Sequence, residues 1–470
     1  MAAQPRRYGG GSEIVNQIEL SIEQKLSLAQ SFVNHPVQGE LIDYKIKYIN
    51  VLEWFVNRFS PNDIFSKQLL GNYKVGLLGV EAINYQYNDN IEELLKITAK
   101  LRLKKWHWFS YRYLLLIDIL FLCSFFDPIK ANIVVEEYKK QLKLWFYKNK
   151  YYRNFNELIS ELYVEQKRDL QFDAIDDVIL KWQKNLEFIV QTPKKILITA
   201  NMSAGKSTLI NALTGKRIVK TQNMACTSKV HYIYSKAFED EFNYKIDGEV
   251  CLNADINYLM NNSESNTDNK ILASTYFRNF IVDKPLCLID TPGVNYSGNI
   301  SHQKITQEVI LEKDYDLLIY IMNAEYLGTD DEHRHLKFIA DNVKDKKIVV
   351  AVNKLDRFNA REDDITLSVN EVFNDLKKFN LNNYRLCPIS AYAGLLAKEK
   401  LWHDDIDEFD VDELELLRRK LKKEKYNLSS YYSDILLQDS NNRDFSKSDK
   451  KYFELLANCG ILPFEKLITE

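Results

Sequence analysis

A nine-residue stretch near the middle of the chain constrains the fold more than any other feature. It follows the apolar run 196–198, opens the helical pattern 209–213, and reads Ala200-Asn201-Met202-Ser203-Ala204-Gly205-Lys206-Ser207-Thr208. A strand, a Gly-Lys-Ser loop and a helix in this order are typical of a phosphate-binding loop, in which backbone N–H groups and the helix dipole point at the phosphates. Alanine stands where the first glycine of such loops is usual, which the turn tolerates if φ stays negative.

The residue types of this loop predict separate roles at the phosphates. Lys206 is expected to reach the β and γ phosphates, and the hydroxyl of Ser207 is expected to bind Mg²⁺. The other residues expected to bind the nucleotide here are Ala200, Asn201, Met202, Ala204, Gly205 and Thr208. A chance Gly-Lys-Ser at a helix start is the alternative, and the flanking strand and helix argue against it.

Two more elements complete the predicted phosphate site. An apolar run that ends at Ile289 leads into the sequence Asp290-Thr291-Pro292-Gly293. This order places the carboxylate of Asp290 near the metal and the backbone N–H of Gly293 near the γ-phosphate. Thr227 follows Lys206 at a spacing that is typical of GTP-binding switches, where a threonine completes the Mg²⁺ shell. The predicted metal ligands are therefore Ser207, Thr227 and Asp290.

Two motifs after later strands predict which base is bound. Residues Asn353-Lys354-Leu355-Asp356 follow the apolar run 347–352, and Ser390-Ala391 follows the run 384–388. The carboxylate of Asp356 can accept hydrogen bonds from the N1–H and the 2-amino group of guanine, a donor pair that adenine lacks. A backbone N–H of Ser390-Ala391 is expected to meet the guanine O6. The sequence therefore predicts a guanine nucleotide.

These motifs resemble those of the GTPase domain of the GTP-binding switch superclass. The run Ser-Ala-Gly-Lys-Ser-Thr-Leu-Ile-Asn-Ala-Leu, residues 203–213, is similar to the dynamin superfamily, particularly its bacterial members. The resemblance covers about residues 194–470. It implies an α/β P-loop GTPase domain with a mostly parallel sheet and helices on both faces. Such a domain binds GTP and Mg²⁺ and forms a GTP-dependent dimer.

The resemblance also implies a way to hydrolyse GTP. Ras-like enzymes orient water with a glutamine after the Asp-x-x-Gly glycine, but this chain has Val294 there. In the dynamin family, the serine that matches Ser203 places the attacking water and a monovalent cation in a dimer; Met202 stands where the family often has glutamine. We therefore expect a K⁺ or Na⁺ ion to assist the catalytic candidates Ser203, Lys206, Thr227 and Gly293.

The first part of the chain shows helical periodicity, for example in a stripe that includes Ile22, Leu26 and Ala29. The predicted organisation is a flexible arm over residues 1–12, an all-α domain over 13–190 that resembles half of a stalk or neck, and a dynamin-like GTPase domain over 191–470.

The apolar run 113–126 is shorter than the roughly 20 residues of a membrane span, so a buried helix is favoured over membrane insertion. Basic and aromatic residues alternate over 138–155, which suits an anionic lipid surface, single-stranded nucleic acid or, as favoured here, lysines that extend over a packed aromatic face.

Composition limits the partners. The net charge of −3 over 470 residues argues against a nucleic-acid partner and hence against a ribosome- or RNA-associated GTPase. Six scattered cysteines and the absence of a signal-peptide pattern predict a cytoplasmic protein, with peripheral membrane contact as an open alternative. A C-terminal GTPase domain favours a GTP-dependent homodimer or a related partner subunit over autonomous membrane remodelling. The rival from another class is a GTP-binding scaffold with little hydrolysis, which Val294 motivates.

Overall fold

A computed structural model describes residues 20–30, 34–91, 93–94, 107–125, 127–143, 150–163, 175–220, 229–261, 269–278, 284–293, 300–359, 363–381, 383–435 and 447–470. The chain divides into two compact units. The first, the helical unit, contains Met1–Lys25 and Asn34–Leu180; the second, the sheet unit, contains Leu26–Val33 and Lys181–Glu470.

The helical unit is built from amphipathic and buried helices. The helices described from the start of the chain to residue 163 are α1 (Ile22–Leu26), α2 (Ile42–Phe59), α3 (Ile64–Leu78), α4 (His107–Ser124), α5 (Pro128–Lys143) and α6 (Lys150–Tyr163). The apolar run 113–125 lies in and just after α4, and its side chains are buried, as expected for a core helix. Among the described residues, no helix is long and apolar enough to cross a bilayer. Of the basic and aromatic stretch, the rings of Tyr138 and Phe155 face the core.

A buried carboxylate lies inside the most apolar helix of the helical unit. Asp118 of α4 is 2% exposed and accepts hydrogen bonds from the hydroxyls of Tyr48 (2.5 Å) and Tyr73 (3.0 Å). Nε2 of His35 lies 3.1 Å from the same carboxylate, while its Nδ1 accepts from the backbone N–H of Val37, so the proton is on Nε2. These three donors explain why an aspartate is tolerated in this core.

The sheet unit is organised around one sheet. Its described strands are β1 (Lys194–Ala200), β2 (Val230–Ser235), β3 (Tyr244–Asp247), β4 (Glu249–Cys251), β5 (Lys270–Thr275), β6 (Leu286–Asp290), β7 (Leu317–Asn323), β8 (Lys347–Asn353) and β9 (Tyr384–Pro388). They lie in the order β4-β3-β5-β2-β6-β1-β7-β8-β9. The neighbouring strands in the part of the sheet ordered β6-β1-β7-β8-β9 are all parallel, whereas β2 runs antiparallel to β6. The predicted α/β class with a mostly parallel sheet is confirmed.

Helices precede, connect and follow these strands. The helices described from residue 176 onward are α7 (Asp176–Ile189), α8 (Lys206–Thr214), α9 (Ile256–Met260), α10 (Ile300–Glu312), α11 (Asp330–Asn342), α12 (Ile365–Lys378), α13 (Ala391–Leu401), α14 (Glu408–Leu421), α15 (Lys447–Asn458) and α16 (Ile461–Thr469). The strand order reverses at β1, so right-handed crossovers place helices on both faces of the sheet. Because the strands from β6 to β9 are parallel, their carboxyl ends meet at one edge, where ligands bind in such sheets.

The helical prediction is wrong for residues 27–30. Helix α1 ends at Leu26, and Ser27 to Gln30 have no regular structure. The side-chain amide of Asn185 on α7 bonds both the N–H (3.0 Å) and the carbonyl (2.8 Å) of Ala29, and the N–H of Gln30 donates to Asp240 at 2.9 Å. These side chains replace the bonds that a helix would supply, so the segment belongs to the sheet unit.

Candidate functional site

The phosphate-loop candidate connects β1 to α8 in a strained turn. Ala200 is the last residue of β1, and α8 begins at Lys206. Gly205 has a φ of +91°, and a Cβ atom there would lie 2.3 Å from Nδ2 of Asn353, so only glycine fits. Ser203 also has a positive φ, +61°, which is uncommon for a residue with a side chain. Strain of this kind is concentrated at functional sites.

Asn353 joins this loop to the Ser390-Ala391 motif. Its Nδ2 donates to the carbonyl of Ala204 at 3.0 Å, and its Oδ1 accepts from the N–H of Ala391 at 3.0 Å. The side chain is buried, so both bonds are sheltered from water. Three motifs that are far apart in sequence therefore meet at one asparagine. The sequence predicted that Asn353 binds the nucleotide, but not that it ties the two loops together.

Lys206 and Asp290 are in direct contact. Nζ of Lys206 donates to Oδ1 of Asp290, whose side chain is 1% exposed at the end of β6. Strand β6 is the parallel neighbour of β1, and Asp290 pairs with Ile198 in the register. The hydroxyl of Thr291 donates to the carbonyl of Ile198 at 3.1 Å, which holds the Asp-Thr-Pro-Gly turn against β1.

Gly293 lies beside the phosphate loop. A Cβ atom built on it would be 3.7 Å from Cγ of Met202. The preceding Pro292 is held by the hydroxyl of Thr306 on α10, which donates to its carbonyl at 2.9 Å. The glycine of this motif and the loop that begins at Ala200 are therefore neighbours, as a shared phosphate would require.

The base-recognition candidates lie after β8 and β9. Asp356 is buried in a short 3₁₀ turn, Leu355–Arg357. Burial raises the pKa of its carboxyl, and a hydrogen bond from the hydroxyl of Ser390 acts in the opposite direction. Ser390 also caps α13, since its Oγ accepts from the N–H of Ala393 at 3.3 Å. The carboxylate and the Ser390-Ala391 turn are thus together, at the same sheet edge as the phosphate loop.

Lys354 and Lys420 support the turn that contains Asp356. Lys354 has a φ of +69° and pairs with Glu325 at 3.7 Å; burial lowers the pKa of its ammonium. Nζ of Lys420, on α14, donates to the backbone carbonyls of Asp356 and of Phe358, the latter at 2.6 Å. Sequence reasoning missed Lys420, because no motif links α14 to this turn.

A second missed contributor is the end of β7. Nδ2 of Asn323 lies 3.5 Å from the carbonyl of Ser203. Glu325, two residues later, pairs with Lys354 and, at 3.4 Å, with Arg357. These residues could have been predicted from their position in the sequence, directly after an apolar run. That run is β7, which ends beside β1 at the sheet edge that carries the other motifs.

The remaining candidates are only partly placed. Ser207 and Thr208 lie half-buried in the first turn of α8, and Asn201 is half-buried in the loop before it. Thr227 and Val294 lie outside the described residues.

Within the described ranges, no group of three or more His, Cys, Asp or Glu side chains is placed to hold a metal ion. Magnesium commonly takes only one or two protein ligands beside phosphate oxygens and water, so the oxygens of Ser207 and Asp290 fit it.

Comparison with known proteins gives a family for this part of the chain. Residues 196–354 match the dynamin family. The chain is 28% identical over 211 residues to the "Probable transmembrane GTPase FZO-like, chloroplastic" of Arabidopsis thaliana, covering 44% of this chain and 20% of that protein. It is 22% identical over 404 residues to "Dynamin-like protein 1" of Campylobacter jejuni, covering 71% of this chain and 54% of that protein. The chain therefore spans about half or less of the length of these two relatives.

Two solved structures are also similar, at low scores. The chain is 17% identical to an Era variant of Aquifex aeolicus bound to GDP and AlF₄⁻, with 46% of this chain and 59% of that chain covered and a TM-score of 0.26. It is 18% identical to the G domain of the FeoB iron transporter of T. maritima, with 48% and 99% covered and a TM-score of 0.25. The match of residues 196–354 to the dynamin family, together with the named relatives, supports a G domain of the dynamin superfamily in this part of the chain.

Proposed function

We propose that this protein binds GTP with Mg²⁺ and hydrolyses it to GDP and phosphate. The observation that carries the proposal is the bridge that Asn353 makes between Ala204 and Ala391. A nucleotide has a phosphate end and a base end, and this bridge holds the predicted phosphate loop and base loop at a fixed separation. Preorganised loops of this kind bind without the cost of ordering them.

At the phosphate end, the proposed contacts come from the loop 200–208. Its backbone N–H groups and the N-terminus of α8 face the phosphates, and Lys206 turns from Asp290 to the β and γ phosphates. Ser207, Asp290 and Thr227 would hold Mg²⁺ through hard oxygen donors. When bound, the ion neutralises charge on the β and γ phosphate oxygens.

At the base end, Asp356 accepts hydrogen bonds from guanine N1–H and the 2-amino group, and a backbone N–H of Ser390-Ala391 meets O6. Lys354 covers one side of the base. The burial of Asp356 supports this proposal, because an unsatisfied buried carboxylate rejects a base that lacks the donor pair.

Hydrolysis is proposed to need a second G domain. Ser203, held at positive φ and exposed, would orient the attacking water together with the backbone of Thr227 and a K⁺ or Na⁺ ion. Gly293 donates its N–H to the γ-phosphate. The water oxygen bonds to the γ-phosphorus and a water proton passes to a phosphate oxygen. The bond between the γ-phosphorus and the β–γ bridging oxygen breaks, and GDP and phosphate leave. Two G domains that meet face to face bury Met202 and Ser203 and exclude bulk water.

The larger role is proposed from the domain organisation. The helical domain over residues 13–190 would move with the nucleotide at the GTPase domain over 191–470, in a cytoplasmic homodimer or with a related partner subunit. Peripheral contact with a membrane is part of this proposal. A second candidate function, a GTP-binding scaffold with little hydrolysis, is favoured by Val294, which has no side-chain hydrogen bond to offer water.

Turnover per molecule, measured against protein concentration, tests dimer activation. We expect the rate to rise as concentration passes the dimer dissociation constant, and the elution mass to double with a GTP-state analogue but not with GDP. A flat, slow rate with tight GTP binding would favour the scaffold. Parallel assays with liposomes and with RNA test the membrane contact and the RNA-associated alternative.

A further inference from the structure

His231 lies directly opposite Asp290 in the sheet. The two residues form a register pair between the antiparallel strands β2 and β6. Residues that oppose each other in an antiparallel pair project to the same face of the sheet, with their Cβ atoms about 5 Å apart. The imidazole of His231 is therefore on the face where Lys206 meets the carboxylate of Asp290.

The imidazole is buried with one nitrogen unpartnered. His231 is 6% exposed, and among the described residues its Nε2 has no hydrogen-bond partner. Burial lowers the pKa of the ring, with the charges of Lys206 and Lys245 acting in the same direction and those of Asp290 and Asp247 against it. A buried polar nitrogen without a partner costs stability and is rare. Such a nitrogen needs an explanation, and a ligand-bound arrangement of the site supplies one.

Asp290 changes partners in the proposed function. Lys206 is the cation that donates to this carboxylate in the structure, and GTP binding draws the same ammonium to the phosphates. The carboxylate of Asp290 is 1% exposed. Once Lys206 has left, this carboxylate needs another hydrogen-bond donor in addition to its contact with the metal. The ring of His231 lies on the same face of the sheet, and in its Nε2–H tautomer it is a neutral donor.

We propose that His231 is a positioning residue of the magnesium site, whose Nε2–H bonds and orients the Asp290 carboxylate when Lys206 moves to the phosphates. This inference rests on the proposed GTP site. Partners that orient a metal-binding side chain commonly affect metal affinity about 10- to 100-fold. The effect should appear in Mg²⁺ affinity and not in the contacts to the base.

The test is the release of a fluorescent GDP analogue from the full chain, measured across Mg²⁺ concentrations and in EDTA. His231→Gln places an amide nitrogen near the Nε2 position, whereas the amide of His231→Asn is too short to reach it. The midpoint is the Mg²⁺ concentration at which half of the full slowing of GDP-analogue release is reached. We expect this midpoint to rise about 10- to 100-fold in the Asn variant. It should stay near wild type in the Gln variant, and both variants should match wild type in EDTA.

Tyr232→Phe is the matched control, because Tyr232 is the next residue of β2, opposes Ile289 and faces the other side of the sheet. It should leave the Mg²⁺ dependence unchanged. An unchanged midpoint in the Asn variant overturns the inference, as does an equal change in EDTA and in Mg²⁺, which would make His231 a packing residue. Failure of the wild-type chain to bind the GDP analogue at all would instead overturn the proposed function, and this inference with it.

Discussion

Lys206 and Asp290, from motifs 84 residues apart, form an ion pair at the sheet edge. The side chain of Asp290 is buried and that of Lys206 is mostly buried, at 1% and 10% exposure. The pair brings together the cation that the proposed function assigns to the phosphates and a carboxylate that it assigns to the metal. Removing either partner therefore has a consequence for folding as well as for function.

Lys206→Ala should abolish GTP hydrolysis, since the contact to the β and γ phosphates is lost. It should also destabilise the ligand-free chain by about 3–5 kcal/mol, because it leaves the buried charge of Asp290 uncompensated. Urea unfolding without nucleotide measures this. The double variant Lys206→Met with Asp290→Asn is the control, and it should regain stability but not hydrolysis. An Ala variant as stable as wild type would contradict the buried pair.

Gly205→Ala should break the bridge made by Asn353. The added Cβ would stand 2.3 Å from Nδ2 of Asn353 in a backbone conformation that alanine rarely adopts. We expect weaker GTP binding, measured by calorimetry, and a lower melting temperature.

Gly71→Ala is the control for this substitution. Gly71 lies in α3, and a Cβ atom added there would have no neighbouring atom within 4 Å. Alanine should therefore stabilise that helix by about 0.5–1 kcal/mol and leave GTP binding unchanged. Equal effects of the two substitutions on GTP affinity would argue against a special role for Gly205.

Lys420→Met should weaken guanine recognition without touching the phosphate contacts. Lys420 holds the carbonyls of Asp356 and Phe358, and each lost hydrogen bond to a charged donor is worth about 1.5–3 kcal/mol. GTP affinity should fall about tenfold or more while ATP affinity changes less, so the preference for GTP over ATP should fall as well. Lys422→Met, at an exposed pair with Glu454, is the control and should bind as wild type.

Glu332 should make stability depend on pH. Burial raises the pKa of its carboxyl from 4.5 to about 7, so the folded chain binds a proton that the unfolded chain releases above pH 4.5. Stability from this group is present below pH 4.5 and is lost as the pH rises to 7. Glu332→Gln, which keeps an acceptor for the N–H of Gly328, should flatten this slope in urea unfolding. An unchanged slope would show that Glu332 is ionised in the folded chain.

Local patterns predicted the strand-end motifs and the sheet that carries them. The loop 200–208, Asp290, Asn353 and Asp356 each follow an apolar run, and parallel strands bring such ends to one edge. These predictions needed only neighbouring residues and one rule of topology.

Contacts between distant residues could not be predicted in this way. His231 opposes Asp290 because β2 is antiparallel to β6, and nothing in the sequence of either strand states their pairing. Ser27 to Gln30 leave the helical pattern because Asn185, 156 residues away, bonds Ala29. Asp118 is tolerated in an apolar helix because its donors come from α2, α3 and the turn before α2.

Isothermal calorimetry with GTP and ATP tests the central claim most directly, since it asks whether the loops joined by Asn353 hold one guanine nucleotide. We predict Mg²⁺-dependent binding of GTP, ATP weaker by several kcal/mol, and a switch of preference to xanthosine triphosphate in Asp356→Asn. ATP bound as tightly as GTP, or an Asp356→Asn variant that still prefers GTP, would contradict the account.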